Sequence, residues 1–209
     1  MRTKPFQMRI LLSSLCVFLL MACGSYPKKQ GFVPSANTSK ELLNPYFSDV
    51  SKDYVYKAKI DAFQKSFGGI FVVKKLGNDH HRIVFTTEMG NTIYDFEFQG
   101  VNFKINRILP EMDKKLLINV LKRDFLALIK ENPPRTKYYS KADNTIAEAT
   151  LQSKKHYYTF EDGQLKKIVQ TGSGKEKVTF LFSGISDNIA KKIVLSHHNF
   201  KLQIVLTAF

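Results

Sequence analysis

From Asp53 to the C-terminus the chain alternates apolar and polar residues with a period of two, and it breaks that rhythm once. Successive side chains of a strand point to opposite faces, so such a pattern builds sheets with one buried and one wet face. In "DYVYKAKI" (53–60), Tyr54, Tyr56, Ala58 and Ile60 share one side and Val55, Lys57 and Lys59 the other. "GIFVVKKL" (69–76), "HHRIVFTTEM" (80–89), "TIYDFEF" (92–98) and "VNFKINRI" (101–108) continue it, with Gly77-Asn78-Asp79 and Gly90-Asn91 as turns. The alternation resumes in "TIAEATL", "KKHYYTF", "LKKIVQ", "KVTFLFSGI", "AKKIVLSHH" and "FKLQIVLTAF", punctuated by Asp162-Gly163 and Thr171-Gly172-Ser173-Gly174-Lys175. Each strand pairs with its predecessor, giving about ten or eleven antiparallel strands, a number that tends to curl into a barrel or half-barrel.

The single break falls at Leu109-Pro110-Glu111-Met112-Asp113, where proline and two acids suit a first helical turn. Met112, Leu116, Leu117, Val120, Leu121, Phe125, Leu128 and Ile129 then form an apolar stripe, and Asn132-Pro133-Pro134 ends the helix. One long amphipathic helix in a β chain lays its stripe on the sheet. If it fills the concavity the result is a packed core; if it fits loosely, the result is an apolar cavity suited to acyl chains. The Phe and Tyr content suits both.

Upstream, the apolar run from Ile10 to Leu20 follows Arg2, Lys4 and Arg9 and precedes Leu20-Met21-Ala22-Cys23-Gly24. It is about half the roughly 20 residues needed to cross a bilayer, so it reads as a secretory signal. Met8 is an alternative start that leaves the same mature chain. Leu20, Ala22 and Cys23 resemble the lipobox of bacterial lipoproteins, which implies removal of residues 1–22 and a diacylglycerol on Cys23. The alternative is an ordinary secretory signal with Cys23 left as a free thiol. Two or three acyl chains make a lasting anchor, at about 0.8 kcal/mol per buried methylene. Cys16 leaves with the signal, so no disulfide holds the mature fold. Residues 23–50, with Pro27, Pro34 and Pro45 and little periodicity, read as a flexible tether, and 51–209 as one domain.

Without the signal the chain carries 29 basic and 18 acidic residues, a formal charge of +11. Export argues against nucleic acid, leaving anionic lipid headgroups or lipopolysaccharide, or lysines that serve only solubility and blunt sheet edges. No catalytic grouping stands out. His80-His81, His156 and His197-His198 lack metal-ligand spacing and read as solvated residues flanking turns. "TGSGK" lacks the spacing of a phosphate loop and reads as a hairpin, and Asp95 and Glu97 read as cross-strand charge partners. The chain is therefore read as no enzyme, with no metal and no cofactor.

The meander through "RIVFTTEMGNTIYDFEF", the helix "PEMDKKLLINVLKRDFLALI" and the closing strands resemble the LolA/LolB-type lipoprotein carriers, in particular LolB-like lipoproteins of Bacteroidetes-type bacteria. The resemblance covers nearly all of 51–209 and rests on patterning rather than on a specific motif. It implies an incomplete barrel of about eleven strands that shelters the acyl chains of a client. It also implies a monomer anchored in the outer membrane, facing the periplasm and served by a LolA-like carrier. Under it, Val72, Phe85, Phe96, Phe98, Leu117, Leu121, Phe180, Phe182, Leu202 and Ile204 line the cavity. LolB proteins carry an exposed apolar residue on an early loop; here Met89 is the one candidate among the turns named above.

Overall fold

The computed structural model describes residues 25–35, 41–62 and 64–209. In chain order these form α1 (Tyr26–Lys29), β1 (Val33–Pro34), β2 (Asp53–Ala62), β3 (Lys65–Gly77), β4 (His80–Thr86), β5 (Thr92–Gln99) and β6 (Asn102–Ile108). There follow α2 (Lys115–Ile129), β7 (Arg135–Lys141), β8 (Asn144–Leu151), β9 (Lys154–Glu161), β10 (Gln164–Gly172), β11 (Lys175–Ser186), β12 (Ile189–His197) and β13 (Leu202–Ala208). All strands join one open sheet in the order β1-β7-β8-β9-β10-β11-β12-β13-β2-β3-β4-β5-β6. Every neighbouring pair is antiparallel. The fold is thus mainly β, with two meanders joined where β13 pairs with β2.

Turn chemistry fixes much of the register. Gln152-Ser153, Asp162-Gly163, Ser173-Gly174 and Asp187-Asn188 each place two consecutive residues at positive φ. That is the type I′ geometry whose twist matches the flanking strands. The pairs Leu151↔Lys154, Glu161↔Gln164, Gly172↔Lys175 and Ser186↔Ile189 close directly on them. Gly69 has a different reason: a Cβ there would lie 1.9 Å from the backbone oxygen of Thr86. Glycine lets β3 pass close to the end of β4.

The two strands beyond the expected count are β1 and β7. The latter lies between the helix and "TIAEATL"; in "RTKYYSK" the adjacent Tyr138 and Tyr139 take opposite faces, Tyr138 against the main core and Tyr139 in an outer cluster. Helix α2 joins β6, at one edge of the sheet, to β7, next to the edge strand β1 on the other side, so it must cross the sheet face. It starts at Lys115, later than the sequence predicts; Lys114 is extended (φ −119°, ψ 119°) and gives no side-chain cap. Residues 109–114 form turns in which the Met112 and Asp113 amides donate to the Leu109 carbonyl. Leu117, Val120, Leu121, Phe125, Leu128 and Ile129 are buried, but Leu116, assigned to the stripe, is 67 % exposed. A helix of 15 residues reaches about 22 Å.

The sheet curls around this helix. Phe125 packs on Phe71 of β3 and on Tyr94 and Phe96 of β5, while Asp124 reaches His197 of β12. One apolar cluster accordingly joins α2 to β2 through β5 and to β8 through β13.

The flexible tether is not what the described part of 23–50 shows. Tyr26 and Phe32 cover a second cluster on the outer face with Tyr139, Ile146, Tyr157 and Val169. Leu42, Tyr46 and Phe47 enter the main core, and the Tyr46 hydroxyl donates to the Leu165 carbonyl at 2.5 Å. Aromatic residues scattered among prolines lack periodicity yet bury as much area as those in strands. Cys23 and the signal segment lie outside the described residues.

Candidate functional site

Nine of the ten residues nominated for a cavity lining are buried in the main core: Phe85, Phe96, Phe98, Leu117, Leu121, Phe180, Phe182, Leu202 and Ile204. Val72 is a correction. It is half-buried on the outer face, paired with Val55 and Val84, while Phe71 and Val73 turn inward. In an apolar run such as "GIFVV" alternation gives no phase, and a one-residue error exchanges the faces.

The interior is dense. Tyr94 stacks on Phe96 at 4.7 Å, and Phe96 meets Phe103 edge-on at 5.2 Å. On the other side Tyr46 stacks on Phe182 at 4.4 Å. With α2 in this position, aromatic rings occupy the space that an acyl chain would need.

An opening lies at one end of α2. Ala62, Gln64, Lys65 and Phe67 of the β2–β3 hairpin face Glu111, Met112, Lys114 and Leu117 across a recess of about 370 Å³. Its apolar floor comes from Ala62, Phe67, Met112 and Leu117, and its rim carries two ammonium groups and one carboxylate. The volume is near the lower end for small-molecule sites. Of the nominated residues it includes Leu117. Met112 belongs to the expected helix stripe; Ala62, Gln64, Lys65 and Phe67 fall between the expected strands 53–60 and 69–76, although Ala62 extends the inward series Ala58, Ile60.

A second recess of about 300 Å³ lies by the β9–β10 and β11–β12 turns, with Leu43, Tyr46, Tyr138, Phe160, Leu165 and Ile185 among its walls. Glu41 and Asp187 stand at its edge.

The polar contacts of α2 gather toward its C-terminal half. Asp124 and His197 meet at 2.7 Å, each with a side chain about 2 % exposed, and the Phe200 ring lies tilted against the imidazole at 4.4 Å. Burial raises the Asp124 carboxyl above its usual range, and His197 partly offsets this. Lys130 bonds both Asp79 carboxylate oxygens at 2.7 and 2.8 Å. Glu131 accepts from Lys75 at 2.8 Å, and His81 lies 3.6 Å from it while bonding the Phe47 carbonyl. The Asn44 amide donates to the Leu128 carbonyl.

His81, His156 and His197 are therefore buried, against the expectation of solvated histidines; His80 and His198 are the more open members of their pairs. Burial pushes His81 down from its ordinary pKa and His156 down to about 4. Asp95 is gripped by the Arg82 guanidinium at 2.6 and 2.9 Å, which holds its carboxyl below the usual range. Glu97 pairs with His80 at 2.8 Å. Asp95 is thus a cross-strand charge partner of Arg82, Glu97 is hydrogen-bonded across strands to His80 and Asn106, and Ser173 sits in a hairpin turn. Among the described residues no group of three or more His, Cys, Asp or Glu side chains is placed to hold a metal ion. Nor is any helix among them long and apolar enough to cross a membrane.

No family model matches the chain, and no curated protein matches it. Among solved structures it is similar to a LolA superfamily protein from Nitrosomonas europaea, with a TM-score of 0.51 and 11 % identity. The alignment covers 78 % of this chain and 87 % of that one. At that identity the likeness concerns the fold: a mainly β, antiparallel open sheet of LolA type.

Proposed function

We propose that this chain is a lipoprotein, anchored through Cys23, that binds acyl chains of lipids or of client lipoproteins and assists their placement in the outer membrane. It does so without covalent chemistry, taking its client from a LolA-like carrier on the periplasmic side. The observation that carries the reading is the apolar recess beside the start of α2, in a fold of LolA type. A recess of about 370 Å³ admits part of one acyl chain. Fuller binding requires α2 to withdraw from the interior it now fills. Lys65 and Lys114 at the rim suit an anionic or zwitterionic headgroup left outside.

The dense interior favours a second reading, an envelope scaffold with a permanently filled core. The two differ in what the folded chain carries. Residues 24–209, purified without detergent and analysed by native mass spectrometry, are expected to retain acylated molecules and to take up a fluorescent fatty acid. A chain that emerges empty and ignores the fatty acid belongs to the scaffold reading. In the host, depletion is expected to mis-sort lipoproteins between membrane fractions, and unchanged sorting would rule out transport.

A further inference from the structure

We propose that the rim of the sheet holding the recess docks on anionic phospholipid headgroups, so that the recess faces the bilayer. In an antiparallel sheet, alternate turns share a rim. The β2–β3 and β4–β5 turns, residues 109–114, the β8–β9 and β10–β11 turns and the β12–β13 loop fall on one rim, as the pair Leu202↔Ala62 shows. The β3–β4, β5–β6, β7–β8, β9–β10 and β11–β12 turns fall on the other.

Charge is segregated between them. The far turns carry Asp79, Asp143, Asp162 and Asp187 against one turn-closing lysine, Lys141, whose ammonium bonds the Gln30 carbonyl; Lys166, Lys191 and Lys192 stand further along the strands. The recess rim carries Lys65, Lys114, Lys115, Lys154, Lys175 and Lys201, all exposed. None of these six ammonium groups has a partner within the described residues. Acids on the same rim are mostly committed: Asp61 to Lys59, Glu88 to Lys57 and Glu176 to Lys167, leaving Glu111 and Asp113. The exposed Met89 and Leu116 stand on this rim as well, giving a cationic surface with apolar side chains that suits a headgroup layer.

The N-terminus adds a second argument, which rests on the reading of Cys23 as lipidated. Tyr26, at the start of α1, meets Glu176 of β11, and the Lys29 ammonium lies 3.4 Å from the carbonyl of Gly174, so α1 starts toward the β10–β11 turn of the same rim, while the Gln30 carbonyl just after it accepts from Lys141 beside the β7–β8 turn of the other. From Cys23 to Tyr26 the chain can span at most about 10 Å. An acylated Cys23, three residues before Tyr26, would therefore lie nearer this rim than the acidic one.

Residues 24–209 contain every described element and both apolar clusters, and they lack the lipid. Co-sedimentation of this unlipidated domain with phosphatidylcholine vesicles, with and without phosphatidylglycerol, tests headgroup docking apart from acyl-chain uptake. Binding is expected with phosphatidylglycerol and to fade at high salt. Each lysine near an anionic surface is worth about fivefold in partitioning. The triple variant Lys65→Gln, Lys175→Gln, Lys201→Gln should therefore bind about a hundredfold more weakly. The control Lys166→Gln, Lys191→Gln, Lys192→Gln removes the same charge from strand starts on the far rim and should change binding by less than about fivefold. Equal losses in the two triples would show a net-charge effect and overturn the proposal. So would a wild-type domain that ignores anionic vesicles, including one that binds an acidic protein instead. A domain that docks but takes up no fatty acid would leave docking intact and remove the carrier reading.

Discussion

Phe125→Ala separates a filled interior from a loosely covered one. Phe125 is 1 % exposed, with its ring 5.5 Å from Phe71, 5.8 Å from Tyr94 and 6.4 Å from Phe96. If these rings pack as a core, removing it leaves a void that the laddered strands β3 and β5 cannot close, and the cost is about 3–5 kcal/mol. If α2 only rests over a yielding cavity, the cost falls toward the transfer free energy alone, about 2 kcal/mol. Equilibrium urea unfolding of residues 24–209 reads the difference. At a typical slope near 2 kcal/mol per molar, a loss of about 4 kcal/mol moves the midpoint down by about 2 M. Leu117→Ala is the internal comparison: one side of Leu117 already faces the recess, so it should cost about 2 kcal/mol. A Phe125→Ala loss below about 1.5 kcal/mol, or one no larger than that of Leu117→Ala, would refute the packed-core argument. Should the void form, fatty-acid affinity is expected to rise in the Phe125→Ala protein.

Two further tests probe single positions. The depressed pKa of His156, about 4, means that its stabilising contribution is full above the ordinary value near 6.5 and is lost as pH falls toward the folded one. Between about pH 7.5 and pH 5 the wild type should therefore lose about 2 kcal/mol more than His156→Phe. Equal pH slopes in urea titrations of the two proteins would show that this imidazole is not buried uncharged. Gly69→Ala drives a methyl group into the Thr86 carbonyl, and neither neighbour is a flexible side chain. It should cost at least about 2 kcal/mol and separate the ends of β3 and β4, visible as faster amide exchange at Ile70; unchanged exchange and stability would place Gly69 elsewhere.

Much of the sheet was legible because period-two alternation and two-residue turns are local properties. Asp162-Gly163 announces its hairpin, whereas Gln152-Ser153 adopts the same backbone without a glycine and gives no such signal. The errors share a cause: the deciding information was long-range. Val72 and Phe71 are both apolar, and the choice between them depends on what β2 and β4 place opposite. Tyr26, Phe32, Tyr46 and Phe47 look like tether residues until the surfaces that receive them are known. The histidine doublets show their exposed member and hide the other, since adjacent residues on a strand take opposite faces. The recess escaped notice for a similar reason: it is made by two segments almost fifty residues apart, one of them an apparently ordinary turn.

The pattern of attachments also says which element must move if the interior is to receive an acyl chain. Each interior strand is bound along both sides by a backbone ladder, and removing one would expose two rows of unpaired amides and carbonyls. Helix α2 satisfies its own backbone and is held by side chains. Its polar attachments lie at Asp124, Leu128, Lys130 and Glu131, so the C-terminal half is tied to β12, to the β3–β4 turn and to residue 44. The N-terminal half has apolar contacts, an uncapped start at Lys114 and the recess beside it. Withdrawal from that end breaks no ion pair and exposes Leu117, Val120 and Leu121, the side chains an incoming acyl chain would cover. The apolar area lost by the core is then regained from the ligand, so opening with a ligand costs far less than opening without one. On this mechanism an empty recess and a filled interior belong to the same resting state.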